Sequence, residues 1–328
     1  MSRQARVYIQ GIAGLILVLF LSSLFFGPVS IPVSTIMDIL LGKPVENSSW
    51  VNIILQSRLP QAVTALLAGS ALAVSGLMLQ TLFQNPLAGP SILGISSGAN
   101  LGVAFVMLYS GGIFSTLSAA FAGALTVLLL ILYFSTKIKS NVLVLIVGMM
   151  VGYLASSGIS ILNALASSEN IRSYVLWGLG SFSGVSLKQL PLYSITLSVG
   201  LIAAVLLIKP LNVLLLGENY AANLGIPIRR TRIFILIITG FLTAVVTAFC
   251  GPVSFIGLAT PHIARMLLKT SNQRLLLPAT LLLGSAVALF CNLLTLIPLG
   301  NHLLPLNAVT PLLGAPVIVY VIVKQKNI

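Results

Sequence analysis

Charged side chains are scarce throughout this sequence. Of its 328 residues only 6% are charged while 58% are hydrophobic, and the mean hydropathy is +1.10. Because soluble domains carry about 25% charged residues, this composition excludes a protein that is covered by polar surface on all sides. It predicts an integral membrane protein. The net charge of +13 is typical of Lys and Arg in loops that flank membrane spans, so we expect no nucleic-acid partner.

Acidic residues are the rarest charged class. The sequence has four of them, and all lie outside the long apolar runs: Asp38, Glu46, Glu169 and Glu218. Carriers that are driven by a proton or sodium gradient usually need an ionisable group inside the membrane. The lack of one disfavours an ion-driven secondary transporter, which we keep as the alternative to a transporter powered by a separate subunit.

Motifs for nucleotide binding, metal binding and catalysis are missing as well. No G-x-x-x-x-G-K-[ST] loop occurs, so the chain does not bind ATP by that mechanism, and ATP-Mg would belong to a partner subunit. Cys250 and Cys291 lie in apolar runs, and His262 and His302 have no Cys, Asp or Glu near them in the sequence. We interpret the cysteines as packing residues and the histidines as structural. We predict no enzyme activity, no metal site and no cofactor bound by this chain.

Ten apolar runs fill most of the chain. A membrane-spanning helix needs about 20 apolar residues. The runs cover residues 7–26, 59–80, 92–109, 113–134, 141–166, 190–208, 233–249, 251–264, 275–296 and 305–323. The eighth is short and contains Gly257 and Pro261, which predicts a broken or tilted element shielded by its neighbours. The sequence therefore predicts an all-α polytopic membrane protein with a single transmembrane domain over residues 1–328.

The distribution of basic residues predicts the orientation. With the N-terminus inside, ten crossings place thirteen of the 17 basic residues on cytoplasmic segments and leave four outside. The four are Lys43, Arg58, Arg172 and Lys188. Because cytoplasmic loops carry an excess of Lys and Arg, we expect a multi-pass protein of the cytoplasmic membrane with both termini inside.

An internal repeat and regularly spaced glycines indicate how the helices pack. Residues 69–90 align without gaps with residues 240–261, and six positions are identical. The first copy starts outside and the second inside, which is the inverted-repeat arrangement of many transporters. Gly94, Gly98 and Gly102 recur at a spacing that lets helix backbones approach closely in lipid.

The longest cytoplasmic loop, residues 209–232, has the pattern of a short amphipathic helix that ends at Gly225 and Pro227. Two interpretations remain open: a docking surface for a motor subunit, or a helix that lies in the membrane interface. Glu218 is the only cytoplasmic acid. It favours a charge-assisted contact, either with a partner or with the cations of its own loop.

Five strings occur in order between about residues 58 and 317. They read SRLPQAVTALLAGSALAVSGLMLQTLFQNPLAGPSILGISSGANLG, WGLGSFSG, LLLGENYAANLG, CGPVSFIGLATPHIARML and AVTPLLGAP. Together they resemble the permease subunits of bacterial ABC importers for iron-siderophores, haem and vitamin B12, the FecCD-type or type II importers.

The resemblance implies an inverted-repeat permease fold with ten helices per subunit. It implies a homodimer around a central pathway, two ATPase subunits on the cytoplasmic side, and a soluble or lipid-anchored substrate-binding protein outside. The implied function is ATP-driven import of an iron chelate by alternating access, with siderophore-iron first and haem or vitamin B12 behind.

The resemblance also assigns residues to roles. Binding-protein docking falls on Arg58, although the family's neighbouring charges are replaced by Gln61, Asn292 and Leu296, so that Lys43, Arg172 or Lys188 are possible substitutes. Docking of the ATPase is assigned to Gly217, Glu218, Ala221, Leu224 and Gly225. The translocation pathway is assigned to Ser156, Ser160, Asn163, Trp177, Gly180, Ser181 and Ser183, and the cytoplasmic gate to Ser140 and Asn141.

Overall fold

The computed structural model describes residues 3–110, 115–138, 140–299 and 302–325. These residues are mainly helical. The helices are α1 (Arg3–Phe25), α2 (Val33–Leu40), α3 (Ser48–Asn52), α4 (Leu59–Phe83), α5 (Ile95–Ala104), α6 (Thr116–Lys137), α7 (Asn141–Leu165), α8 (Ser168–Gly178), α9 (Leu190–Leu206), α10 (Ile208–Leu214), α11 (Glu218–Asn223), α12 (Ile228–Cys250), α13 (Ile256–Leu268), α14 (Gln273–Thr295) and α15 (Leu306–Gln325). A short antiparallel pair joins β1 (Pro298–Leu299) to β2 (His302–Leu303), with Pro298 opposite Leu303.

Short irregular turns complete the helical segments. A π-helical turn at Ile53–Arg58 joins α3 to α4, a second at Phe105–Tyr109 extends α5, and a 3-10 turn occupies Phe182–Gly184. As a result α3, the first π-turn and α4 form one helical segment of 36 residues.

Each of the ten predicted runs contains a helix. Within the described residues six helices are long and apolar enough to cross a membrane: Arg6–Phe25, Ser48–Phe83, Thr116–Lys137, Asn141–Leu165, Ile228–Cys250 and Gln273–Thr295. The pair α9 and α10, bent by 52°, forms a seventh candidate. The other three runs correspond to the shorter helices Ile95–Tyr109, α13 and Leu306–Tyr320. The all-α polytopic architecture is confirmed, and the count of ten is approximate.

The eighth run is broken at a different place from the one predicted. Pro261 lies inside α13, which continues through it to Leu268. The break precedes the helix, between Gly251 and Phe255, where both residues have a positive φ. Such a backbone conformation is costly for a side chain as large as that of Phe255, so packing of the surrounding helices must hold it.

The central helix of the bundle is α4, which is buried along most of its length. A Cβ atom at Gly69 would overlap the carbonyl oxygen of Gly284 in α14, and one at Gly76 would overlap that of Gly257 in α13. Without a hydrophobic driving force between helices in lipid, such close backbone approach supplies the packing contacts. A similar approach of Gly98 to Gly123 joins α5 to α6 and confirms the packing role predicted for the glycine spacing.

Hydrogen bonds show which end of the bundle each end of α4 occupies. At its start, Gln61 Nε2 donates to Asn292 Oδ1 of α14 at 2.8 Å; just after its end, Gln84 Nε2 donates to the Leu214 carbonyl, before α11, at 3.1 Å. We name these two ends of the bundle the far end and the α11 end. The helix α12 starts at the α11 end, and its last residue, Cys250, lies at the far end beside Tyr193.

The predicted inverted repeat is therefore realised by α4 and α12, which run in opposite directions. The equivalence ends after these helices, since Pro90 lies in a turn and Pro261 lies within α13. Helix α1 ends and α15 begins at the far end, because Arg58 binds the former and Asn307 joins the latter to Gly178. The first helix thus begins, and the last one ends, toward the α11 end. The two cysteines are buried and unpaired, as predicted.

Candidate functional site

Helix α11 forms where the sequence predicts a short helix. Gly217 precedes it with a φ of 98° and Gly225 follows it with a φ of 79°. Glycine adopts such values without a steric penalty, so these two residues delimit the helix, and Pro227 follows. Ala221 is completely buried and anchors the helix on the bundle. The apolar side chains of Leu216, Tyr220 and Leu224 remain exposed.

Glu218 makes its contacts within the chain. Its carboxylate lies 3.0 Å from Arg232 Nη2 and accepts a hydrogen bond of 2.8 Å from Asn141 Nδ2. The Arg232 side chain is 8% exposed and that of Glu218 is 34% exposed. The sequence left two partners open for this acid, another protein or a cation of its own loop. In the structure the loop cation Arg232 is bound to it.

The predicted gate residues lie at the start of α7, against this ion pair. Ser140 caps the helix, with its Oγ accepting from the Leu143 amide at 3.4 Å. Asn141 Nδ2 donates both to Glu218 and, at 3.0 Å, to the Leu82 carbonyl of α4. Sequence reasoning treated the coupling loop and the gate as separate features. The structure brings them into direct contact.

The connection between α4 and α5 lies at the same end, where polar side chains of α13 bond to it and to the last turns of α4. His262 Nε2 lies 2.7 Å from the Pro86 carbonyl, which can only accept, so that ring nitrogen carries the proton. Arg265 Nη1 donates to Gln80 Oε1 at 2.7 Å. The structural role predicted for His262 is confirmed.

A cavity of about 460 Å³ lies between this connection and α7. Asn85 and Leu87 line it from one side, and Met149 and Ser156 line it from the other. Of the predicted pathway residues, Ser156, Ser160 and Asn163 follow one another at the three- and four-residue spacing of a single helix face. Ser156 and Ser160 are exposed in the single chain, while Asn163 is half-buried with no partner for its Oδ1 among the described residues.

A second cavity of about 480 Å³ opens at the far end, and several predicted residues meet there. Its lining includes Arg58, Gln61, Gly180, Ser181, Ser183 and Asn292. The Ser181 and Ser183 hydroxyls lie 2.7 Å apart. The assigned docking residue and part of the assigned pathway therefore share one cavity, although they are more than 120 residues apart in the sequence.

Arg58 is 5% exposed and its guanidinium is used inside the chain. It donates to the carbonyls of Leu24 at 2.9 Å and Phe25 at 3.0 Å, and also to that of Val29. The last carbonyls of a helix have no partner within that helix, so Arg58 caps α1. Its assignment to binding-protein docking stays a prediction, and the geometry gives it a structural role.

The other pathway residues at this end belong to a tight turn after α8. Gly180 has a φ of 69°, and a Cβ there would lie 2.8 Å from the Pro252 carbonyl oxygen. Trp177 is half-buried and stacks on Tyr174 with ring centroids 6.4 Å apart. Gly180 and Trp177 thus shape the turn, and Ser181 and Ser183 carry the exposed hydroxyl groups.

Asn307 is the residue at this end that sequence reasoning missed. Its Nδ2 donates to the carbonyls of Gly178 at 3.1 Å and Pro252 at 2.6 Å, and its Oδ1 accepts from the Ser254 amide at 3.2 Å. One side chain therefore ties the start of α15 to two separate turns. The only signal in the sequence is an isolated amide before the AVTPLLGAP string.

Comparison with known proteins decides the family. The model of the FecCD transport family matches residues 15–324. The chain belongs to the FecCD transport family. This FecCD chain is 34% identical over 333 residues to the vitamin B12 import system permease protein BtuC of Klebsiella pneumoniae subsp. pneumoniae, an alignment that covers 99% of this chain and 96% of that protein. It is 36% identical to BtuC of Salmonella arizonae, over 82% of each chain.

Solved structures agree with this assignment. A metal-chelate type ABC transporter in an inward-facing conformation superposes with a TM-score of 0.85 and 29% identity, covering 96% of this chain and 98% of that one. PsaBC from Streptococcus pneumoniae, at a TM-score of 0.54 and 17% identity over 80% of this chain and 90% of that one, shares the fold alone. The FecCD chain thus has the ABC permease fold, and it is a multi-pass transport subunit of an importer of this type.

Proposed function

We propose that this chain is the permease subunit through which an ATP-driven importer passes a metal chelate into the cytoplasm. The observation that supports it is the polar face of α7. Ser156 and Ser160 are exposed on a helix that is otherwise long and apolar. Ser160 Oγ donates to the Ser156 carbonyl at 3.0 Å, whereas Asn163 Oδ1 on the same face has no partner among the described residues, and hydrocarbon offers none to polar groups. A pathway that is filled with water or cargo, between this chain and a second copy of it, would satisfy them.

The proposal includes the arrangement of the partners. The single transmembrane domain spans residues 1–328, with the coupling loop 209–232 inside it, and the α11 end faces the cytoplasm with both termini. The exposed side chains of Leu216, Tyr220 and Leu224 would dock one ATPase per permease, and the ATPase would bind ATP-Mg. A substrate-binding protein would dock at the far end. The chain itself would bind no cofactor and catalyse no reaction.

The cargo class follows from the relatives. The BtuC permeases import vitamin B12, and the structural relative is of the metal-chelate type. Vitamin B12 is therefore the first cargo to test. Ferric siderophore, which the sequence analysis put first, and haem are the other two. All three are bulky chelates of a transition metal.

Reconstitution in proteoliposomes tests this proposal. The chain is assembled with the ATPase and binding protein that are encoded beside it, and uptake of cyanocobalamin, a ferric siderophore and haemin is measured. We expect uptake of at least one compound that requires ATP and the binding protein, and neither ATP hydrolysis nor uptake by the chain alone. Uptake by the chain alone on an ion gradient would replace the proposal with the secondary carrier. No uptake of any of the three would reject the cargo class.

A further inference from the structure

We propose that Glu218 and Arg232 are positioning residues that connect α11 to the mouth of the pathway, so that a displacement of α11 moves the start of α7. This inference rests on the proposed function, because α11 is displaced only if a motor subunit acts on it. It differs from the assignment of Glu218 to ATPase docking, since the contacts that carry it lie within the permease.

The first step is that Arg232 holds two elements at once. Its Nη2 is 3.0 Å from one Glu218 oxygen and 3.4 Å from the other, and its Nη1 donates to the Ile138 carbonyl at 3.1 Å. Glu218 begins α11, and Ile138 follows α6. A planar guanidinium can bind both because its donors point in fixed directions, and the ion pair therefore joins α11 to the connection between α6 and α7.

The second step is that Asn141 continues the link to α4. Its Nδ2 donates to Glu218 at 2.8 Å and to the Leu82 carbonyl at 3.0 Å. Two residues after Leu82, Gln84 donates to the Leu214 carbonyl at 3.1 Å. The segment that contains α10 and α11 is thus bonded to Gln84, which precedes the cavity-lining Asn85, and to the start of α7, whose residues from Leu145 onward line the same cavity of about 460 Å³.

The third step is that these contacts are hard to separate. The Arg232 side chain is 8% exposed, and removing one partner of a buried ion pair leaves a charge without compensation. Helix α11 has only six residues, too few to be stable in water alone, so its position depends on its anchors. When α11 moves, the shift of least cost keeps the ion pair and carries Asn141 with it.

The fourth step is that Glu218 is poorly placed to dock a partner. One of its oxygens lies between Arg232 and Asn141, and the other also faces Arg232. The largest apolar side chains that α11 and the preceding turn expose include Leu216 and Tyr220, which are 60% and 68% exposed. Docking would use these apolar side chains, and Glu218 would transmit the movement.

The experiment compares the complete importer carrying Glu218→Gln, Asn141→Asp or both. Glu218→Gln removes the charge that pairs with Arg232. Asn141→Asp places two carboxylates side by side, and the double variant restores one acid and one amide in exchanged positions. Glu46→Gln is the matched control, because Glu46 is an exposed acid outside the cluster. The readouts are co-purification of the ATPase and the number of ATP molecules hydrolysed per cyanocobalamin imported, with the ferric siderophore as probe if that is the cargo.

We expect each single variant to keep the ATPase bound and to raise ATP consumption per imported molecule roughly 10-fold, the effect of losing one charge-assisted hydrogen bond. The double variant should recover at least half of the loss on a logarithmic scale, while Glu46→Gln matches the wild type. Loss of the ATPase from the Glu218→Gln complex would overturn the inference in favour of docking. Normal coupling in both single variants, or additive losses in the double variant, would also overturn it.

A readout on the purified full chain in detergent separates this inference from the proposed function. Trypsin cleaves after Lys137, next to the Ile138 carbonyl that Arg232 holds. We expect cleavage there to be roughly 10-fold faster in Glu218→Gln than in the wild type or Glu46→Gln. If the wild-type complex imports none of the three chelates, the proposed function fails, and this measurement alone decides the link: faster cleavage supports it and an unchanged rate rejects it.

Discussion

The two ends of the bundle are held by different chemistry. At the α11 end the described contacts include an ion pair, Glu218 with Arg232, and a charge-assisted bond from Arg265 to Gln80, beside neutral bonds such as that of Gln84 to the Leu214 carbonyl. At the far end neutral amides dominate: Gln61 bonds to Asn292, and Asn307 bonds to three backbone groups. The far end also contains Arg58, whose charge-assisted hydrogen bonds go to backbone carbonyl groups and not to an acid.

This contrast indicates which part of the permease is able to transmit a movement. Charge-assisted hydrogen bonds are roughly twice as strong as neutral ones, and the buried Arg232 resists losing its partly exposed partner Glu218, so the segment around α11 is suited to move as a unit. Neutral amides bonded to backbone carbonyls fix a local geometry at lower energy. The far end is therefore held in place by neutral amides and by the capping bonds of Arg58, and its one described ion pair, Lys43 with Asp38, is exposed.

The largest effect is expected from reversing the charge at the α11 end. Glu218→Arg places a second guanidinium against Arg232, so repulsion replaces the ion pair. We expect ATP-dependent uptake to fall by about 100-fold or more, equivalent to about 3 kcal/mol. Uptake in proteoliposomes measures this, with Glu46→Arg as the control. Normal uptake would show that the ion pair at the α11 end does not contribute to transport.

Removing Arg58, the buried cation of the far end, should lower the stability of the chain more than its affinity for the substrate-binding protein. Arg58→Ala leaves the last carbonyls of α1 without a donor and creates a void, and we expect a loss of about 3 kcal/mol in unfolding free energy. Thermal unfolding of the purified chain in detergent measures the loss, and Lys188→Ala serves as the exposed control. If stability is unchanged and affinity for the binding protein falls, Arg58 is a docking residue after all.

A smaller loss is expected at the junction before α15. Asn307→Ala deletes three hydrogen bonds to Gly178, Pro252 and Ser254, and we expect a loss of about 2 kcal/mol. The same unfolding assay applies, with Asn170→Ala as the control. An unchanged melting temperature would mean that the far end does not depend on its amides.

The smallest effect should come from replacing the amide pair Gln61 and Asn292 at the far end by an ion pair. Gln61→Arg combined with Asn292→Asp converts the amide pair into an ion pair of the kind that the family pattern implies at these positions. Each single change should cost about 1 kcal/mol, and the double variant should recover most of it, since the partners are in contact. Additive losses in the unfolding assay would show that the two side chains do not interact.

Periodicity and composition were sufficient to predict the long apolar helices and the helix at Glu218, but not the short helices α2, α3 and α8 or which helices are neighbours. The ten apolar runs, the opposite directions of α4 and α12, and the short helix between Gly217 and Gly225 all follow from local patterns. Each depends on residues a few positions apart, where the sequence carries direct information about backbone geometry.

The contacts that organise the candidate site join distant residues. Asn141 meets Glu218 across 77 positions, and Asn307 meets Gly178 across 129. A single amide can bond to almost any backbone group, so its partner leaves no pattern in the sequence. Arg58 shows the converse: its motif points to an external partner, whereas folding supplies the carbonyls of α1 first.

The glycine contacts along α4 determine which parts of the permease are free to rearrange. At Gly69 and Gly76 there is no space for even one methyl group between α4 and the backbones of α14 and α13. Backbones in such close contact cannot slide past each other without first separating. We therefore expect α4, α13 and α14 to move as one rigid body. Helices α5, α6 and α7 are interlocked in the same way at Gly98 and Gly94, so the alternating access proposed above would move two blocks of helices relative to each other.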